Sequence, residues 1–323
     1  MRFEDLISDV RNDLKQVETT ILSHLDTEIP LLNDVAKHIL NSGGKRLRPV
    51  VLILSARMFK GMGEHIYQAA AALEFLHTAT LLHDDVVDDS DLRRQRRTAR
   101  VIYGNPASVL VGDYLLAVSF RSLTLLENLP VLDTISHTTS LMAKGEILQL
   151  IRRFDTASEA DYLAIISHKT ASLFAAATKI GACFGGANAD EQEKLYQYGH
   201  HIGVAFQIVD DALDYVEERD KVGKPLGADL KERKVTLPLS RLLAVVEKPV
   251  HEDLMARLRK DEIDEGDIAH VVALMREHGV LPYTLNEARR FAAQAKACLE
   301  DLPRLPERQR LRELADFVVD REF

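Results

Sequence analysis

Two acidic pentads constrain this chain more than any other feature: DDVVD, carrying Asp84, Asp85 and Asp88, and DDALD, carrying Asp210, Asp211 and Asp214. Both sit inside apolar runs, LEFLHTATLLHDDVVDDSD and IGVAFQIVDDALDY, whose Leu, Val and Phe residues recur at helical spacing. Each aspartate set is therefore predicted to ride on a helix whose other face is buried. Positions i and i+4 share a helix face, about 5–6 Å apart. Asp84 should then point with Asp88, and Asp210 with Asp214. Carboxylates crowded beside apolar surface repel one another and are costly to desolvate, and a hard divalent cation relieves both problems. Mg²⁺ keeps several waters and takes one or two protein carboxylates, leaving substrate phosphates to complete its shell. The chemistry indicated is diphosphate binding through Mg²⁺.

The rest of the chain supports a helical frame for such a site. Its 323 residues hold only 16 glycines and 10 prolines, and Ala, Leu, Glu, Arg and Lys recur from end to end. That composition favours an all-α fold. No Pro/Gly/Ser-rich linker divides it, so one domain is expected over 1–323. Helices are predicted over 3–24, 29–40, 50–60, 64–89, 107–127, 130–153, 158–181, 189–218 and 235–247, with several more from 252 onward. Strand-like alternation is absent. The pentads start 126 positions apart without wider similarity, which is compatible with two helices facing each other across a bundle. A formal charge of −9 argues against a nucleic-acid binder. Cys183 and Cys298 read as helix thiols, not as a disulfide or zinc framework. No signal-like or membrane-spanning apolar stretch is evident, so a cytoplasmic protein is expected.

Basic residues complement the acidic ones. Arg93, Arg94, Arg96 and Arg97 follow the first pentad directly, and Lys45, Arg46 and Arg48 follow Gly43-Gly44 at a predicted helix start suited to an anion. An acidic patch opposite a basic one is what a metal-bridged phosphate requires. Lys169 and Thr170 place an ammonium and a hydroxyl in an otherwise apolar helix, where a snorkelling Lys and a back-bonded Thr are the plainer reading. Gln207 lies one turn before Asp211 in a buried-looking run and needs partners. Lys224 lies in a Gly/Pro-rich loop that could cover a phosphate. His77 lies two turns before Asp84 on the same face.

At this point seven blocks, in order, resemble the trans-isoprenyl diphosphate synthase family and within it the bacterial long-chain polyprenyl branch. They are GGKRLRP at 43–49, FLHTATLLHDDVVDDSDLRR at 75–94, GNPASVLVGDYLL at 104–116, KGEILQL at 144–150, KTASLF at 169–174, GVAFQIVDDALDY at 203–215 and GKPLGADLKERKVTLPL at 223–239. The resemblance implies a homodimeric, all-α helical bundle around a central apolar cavity. Its reaction would join isopentenyl diphosphate repeatedly to an allylic diphosphate, with farnesyl diphosphate the expected primer. By position, Asp84 and Asp88 would bind two Mg²⁺ ions and Asp210 a third, with Asp85, Asp211 and Asp214 in support. Arg93, Lys169 and Lys224 would hold the allylic diphosphate. Lys45, Arg48, His77 and Arg94 would hold isopentenyl diphosphate, and Thr170 and Gln207 would sit near the developing cation. Two departures from the family pattern stand out: Gln95 and Arg233 occupy positions where glycine is usual, which bears on loop geometry.

The product tail is expected to grow along the apolar stripe beneath Asp84. Ala79 and Thr80 are small there, and Leu76 and Leu73 further down are not aromatic. In the family, small residues at these positions go with long products, so a C40 product is expected, delivered to membrane enzymes as a quinone side chain. A shorter C15–C20 synthase and a subunit of a heteromeric synthase are the alternatives. A terpene cyclase would not need the second pentad or the isopentenyl diphosphate pocket.

Overall fold

The computed structural model describes residues 3–25, 27–40, 44–93, 96–152, 158–216 and 226–320. Helices α1 (Phe3–Leu6), α2 (Arg11–His24), α3 (Pro30–Leu40), α4 (Leu47–Met58) and α5 (Glu64–Val87) come first. After them lie α6 (Ala99–Tyr103), α7 (Asn105–Thr124), α8 (Leu129–Ile151), α9 (Glu159–Ile166), α10 (Ser172–Gly185) and α11 (Ala189–Leu213). The C-terminal part holds α12 (Ala228–Lys231), α13 (Leu237–Val245), α14 (Lys248–Leu258), α15 (Glu265–Glu277), α16 (Val280–Cys298) and α17 (Pro306–Val319). The all-α expectation holds. The one exception among the described residues is a two-residue antiparallel ladder, Leu92–Arg93 with Arg96–Arg97, just beyond the first pentad. No helix among the described residues is long and apolar enough to cross a membrane.

Boundaries differ from the periodicity reading where local chemistry intervenes. The predicted 3–24 helix is broken by a 3₁₀ turn at Ser8–Val10. The predicted 50–60 helix starts earlier, at Leu47, because Pro49 is tolerated in a first turn whose N–H groups lack intrahelical partners. The predicted 158–181 helix is interrupted by a π turn, Ser167–Ala171, before continuing as α10. Helix α11 starts where expected because Asn188 and Glu191 form a reciprocal capping box.

The packing is dominated by α5 on α7, α10 on both α4 and α11, and α11 on α16. These contacts bury nearly all of α4 and α10 and most of α5. A second, smaller core of Tyr215, Leu230, Leu239, Leu254, Val271 and Met275 gathers around α12–α15. Close approach of backbones sets the central geometry. A Cβ at Gly181 on α10 would stand 2.2 Å from the carbonyl oxygen of Leu52 on α4. Neither helix can yield to relieve such a contact without disturbing the packed core.

Gly181→Val is therefore expected to push α10 off α4 and to cost about 1–3 kcal/mol, the usual range for overpacking. A thermal melt indistinguishable from that of the parent protein would refute this account of the α4–α10 contact.

Candidate active site

The C-terminal ends of α5 and α11 deliver the two pentads to one cavity of about 630 Å³. Asp84 and Asp88 reach it from α5, and Asp210 and Asp211 from α11. Below them the wall becomes apolar, with Leu76 and Ala79 of α5, Leu116 of α7, Met142 and Ile147 of α8, and Phe206 of α11. Arg48, His77, Thr80, Arg93, Lys169, Thr170 and Gln207 also line it, as the sequence suggested. Leu73 does not; it is fully buried in the surrounding core. Arg94, Gln95 and Lys224 lie outside the described residues.

The aspartates divide into two kinds. Asp85 is 1% exposed and turned into the protein, where one carboxylate oxygen accepts from both Nε and an Nη of Arg93 at 2.8 Å. Asp211 is buried and accepts from Tyr162 Oη and from Gln207 Nε2, both at 2.7 Å. Thr170 Oγ1 in turn donates to Gln207 Oε1 at 2.9 Å. Gln207 thus gains the partners that a core amide requires. Asp214 follows α11 as its C-cap in helical conformation and does not line the cavity. Its carboxylate instead accepts the backbone N–H of Asp229 at 2.9 Å and fastens the returning chain.

Two lysines stand among the carboxylates. Lys169 Nζ lies 2.5 Å from Glu146 Oε2 and 3.6 Å from Asp84 Oδ2. Lys234 Nζ lies 2.8 Å from Asp88 Oδ2 and 2.5 Å from Glu232 Oε2. Burial works against the charge of each, yet the surrounding carboxylates hold both ammonium groups above their ordinary pKa. Burial also raises the carboxyl pKa of Asp84, with Lys169 opposing and Asp88 adding to the rise. Glu146 is raised by burial and by Asp84, against the pull of Lys169. Burial and the Asp229 charge push Asp211 well up.

Glu146 and Lys234 were not singled out from sequence. The signal for Glu146 was an acid in the otherwise apolar GEILQLI run; for Lys234 it was only a charge among charges. Both are defined by partners distant in sequence. The π turn was equally hidden. It seats Lys169 and Thr170 side by side on the cavity, and Gly145 lets α8 approach it, since a Cβ there would stand 2.6 Å from the Lys169 nitrogen. The Lys45 ammonium lies 4.7 Å from the centroid of Phe317 on α17, and Lys45 is not among the cavity-lining residues.

The turn carrying Lys234 also explains one departure from the family pattern. Arg233 has φ of 58°, the left-handed conformation that glycine adopts without steric cost. Its guanidinium donates to the carbonyls of Lys260 at 2.5 Å and Asp261 at 3.1 Å. Those bonds offset the backbone cost, and the turn still brings Lys234 to Asp88.

Against known proteins, the polyprenyl synthetase family model matches residues 29–275. The chain belongs to the polyprenyl synthetase family. It is 39% identical to an octaprenyl diphosphate synthase of Haemophilus influenzae, over 96% of this chain and 94% of that one. The fold matches a decaprenyl diphosphate synthase of Rhodobacter capsulatus with a TM-score of 0.93 and 40% identity, over 99% of both chains. It also matches a Caulobacter crescentus polyprenyl synthase complexed with calcium and isoprenyl diphosphate, with a TM-score of 0.92 and 38% identity, over 98% of this chain and 97% of that one. This family member is thus a prenyltransferase, a trans-prenyl diphosphate synthase of the long-chain kind.

The donor set suits a hard cation. Asp84, Asp88 and Asp210 offer carboxylate oxygens to one cavity, while no three His, Cys, Asp or Glu side chains among the described residues converge on a common metal point. An ion held by one or two carboxylates must complete its shell with water and phosphate oxygens, the habit of Mg²⁺.

These charges give the ligand-free protein a defined pH response. Carboxyls with raised folded pKa values, such as Asp84 and Glu146, favour the fold fully below the unfolded value of about 4 and lose that contribution as pH rises through their folded values. Asp84→Asn removes one like charge while leaving Lys169 paired with Glu146. Calorimetry at neutral pH without metal should show a higher Tm in the variant, by about 2 °C for each kcal/mol recovered. An equal or lower Tm would contradict it.

Proposed function

We propose that this protein is a Mg²⁺-dependent octaprenyl diphosphate synthase, condensing isopentenyl diphosphate repeatedly onto farnesyl diphosphate to a C40 product. The supporting observation is the placement of two acidic sets, braced by Lys169 and Lys234, in a cavity that also presents the apolar side chains of Leu76, Ala79, Leu116, Met142, Ile147 and Phe206. One end of that cavity suits a diphosphate and the other a hydrocarbon tail. The chain folds as one domain over 1–323 in this reading and acts in the cytoplasm, handing its product to membrane enzymes as a quinone side chain.

Each side chain then has a task. Asp84, Asp88 and Asp210 would hold three Mg²⁺ ions, which would supply positive charge to the diphosphate leaving C1 of the allylic substrate. Arg93, fixed by Asp85, joins Lys169 and Lys224 on the allylic diphosphate. Lys45, Arg48, His77 and Arg94 orient isopentenyl diphosphate so that its double bond faces the allylic carbon. The Thr170–Gln207–Asp211 chain presents oxygen dipoles beside the developing cation. Bond formation moves the positive charge to C3 of the incoming unit, and loss of a proton from C2 to the departed diphosphate restores the double bond. The apolar wall keeps water from the cation. A homodimer fits the outer surface as well: Leu110 on α7, Leu125 just beyond it, and Leu129, Leu150 and Ile151 on α8 are each more than half exposed.

Product analysis after incubation with farnesyl and isopentenyl diphosphates tests the reading, with a C40 chain expected and a C15–C20 product counting against it. Asp84→Ala and Asp210→Ala should each lower kcat by at least about 10²–10³, the scale of losing one transition-state stabiliser. Near-normal turnover in both, with the fold intact by circular dichroism, would refute the metal assignment.

Ala79 is 1% exposed and lines the cavity below Asp84. A tyrosine there would fill the path of the tail, and overfilling a packed apolar channel costs about 1–3 kcal/mol. Ala79→Tyr should accordingly release C15–C20 products while still consuming isopentenyl diphosphate. A long product of unchanged length would mean that the tail follows another wall.

A further inference from the structure

Two glutamates outside the pentads share in the ion pairing of the site. Lys169 Nζ lies 2.5 Å from Glu146 Oε2 and 3.6 Å from Asp84 Oδ2, and Lys234 Nζ lies 2.5 Å from Glu232 Oε2 and 2.8 Å from Asp88 Oδ2. Each ammonium is thus divided between one pentad aspartate and one glutamate, and in both cases the glutamate is the nearer. Glu146 stands on α8 next to Gly145, whose missing Cβ lets that helix approach the π turn carrying Lys169. Its second carboxylate oxygen, Oε1, is buried without a hydrogen-bond partner, a desolvation cost that packing alone does not call for. Glu232 follows α12 as its C-cap, and its Oε1 accepts from Ser90 Oγ, just beyond α5, at 3.4 Å.

The division matters because Asp84 and Asp88 have two claimants. An aspartate oxygen given to a hard cation is no longer free to hold an ammonium, since both draw on the same lone pairs. A lysine paired with that aspartate alone would either keep the oxygen from the cation or lose its own place. A displaced lysine would then pay in rotamer freedom on meeting an anion. A second carboxylate removes the conflict. An ammonium has three donors, so it can stay on the glutamate with one and turn the others to phosphate oxygens.

We propose that Glu146 and Glu232 are positioning residues, keeping Lys169 and Lys234 in place when Asp84 and Asp88 turn to a cation, so that both ammonium groups remain directed at diphosphate. The proposal rests on the reading of the pentads as a Mg²⁺ and diphosphate site. Coulomb's law alone gives the opposite sign: removing a negative charge beside an anion site should tighten anion binding, whereas losing a positioning carboxylate should weaken it.

Calorimetric titration of the full chain with inorganic diphosphate at saturating Mg²⁺ tests it. Glu146→Gln, nearly isosteric, should raise Kd about tenfold, and Glu232→Gln, at the more exposed pair, about threefold. In steady-state kinetics KM for the allylic substrate should rise with them, while KM for isopentenyl diphosphate stays within about twofold. Lys169→Ala and Lys234→Ala serve as references, and the double variants show the route of action. Glu146→Gln added to Lys169→Ala, or Glu232→Gln added to Lys234→Ala, should cause no further loss, because each glutamate then has no lysine to hold. If the lysine variants weaken diphosphate binding and the glutamine variants leave it unchanged or tighten it, positioning is overturned and the diphosphate reading stands. If the lysine variants leave binding unchanged, that reading fails and takes the proposal with it. An equal loss from the glutamine change in both backgrounds, or a parallel rise in both KM values, also overturns it.

Discussion

The structure depends on keeping several desolvated carboxylates together beside an apolar cavity. Asp84, Asp88 and Glu146 could not share this space as bare anions, and Lys169 and Lys234 are threaded between them. Each lysine reaches the cavity from a segment remote from the carboxylate that it meets: Lys234 lies 146 positions beyond Asp88. The electrostatics of the site therefore also tie the fold together, joining α5 to α8, to the π turn and to the segment after α12. The same arrangement leaves an excess of negative charge that the folded protein alone does not cancel. Such crowded carboxylates are expected to cost the ligand-free fold stability, a common compromise at active sites.

What could be read in advance follows from which interactions are local. Helical period placed Asp84 and Asp88 on one face, and both line the cavity. For Asp214 periodicity could not show its partner, since the Asp229 N–H that it accepts arrives from a segment 15 positions later. Lys45 was expected on the cavity by position; its resting place on Phe317 is fixed by a helix some 270 residues later. Glu146 was visible as an acid in an apolar stretch but had no interpretable partner until α8 was laid against the π turn. The all-α architecture was more accessible, since it rests on composition and periodicity that extend along the whole chain.

Arg233 shows how a local rule can be broken at little cost. Left-handed backbone disfavours a residue with a Cβ, yet the guanidinium reaches two carbonyls beyond α14 and secures the turn from outside. The loop geometry that glycine permits passively is here enforced by side-chain hydrogen bonds. The smaller C-terminal core and Lys234 on the cavity wall are thereby linked through one residue.

The wide turn at Ser167–Ala171 sets the phase between two helices. A π turn holds one residue more than an α turn, so α9 and α10 are offset by about 100° from where an uninterrupted helix would place them. That offset lets Tyr162, upstream, face Asp211 while Lys169 and Thr170, downstream, face the cavity. The segment consequently behaves like a vernier: loss of Ser167 or His168, ahead of Lys169 and Thr170, would rotate the whole of α9 against α10, uncoupling the buried tyrosine from the acidic helix while Lys169 and Thr170 remain in the chain.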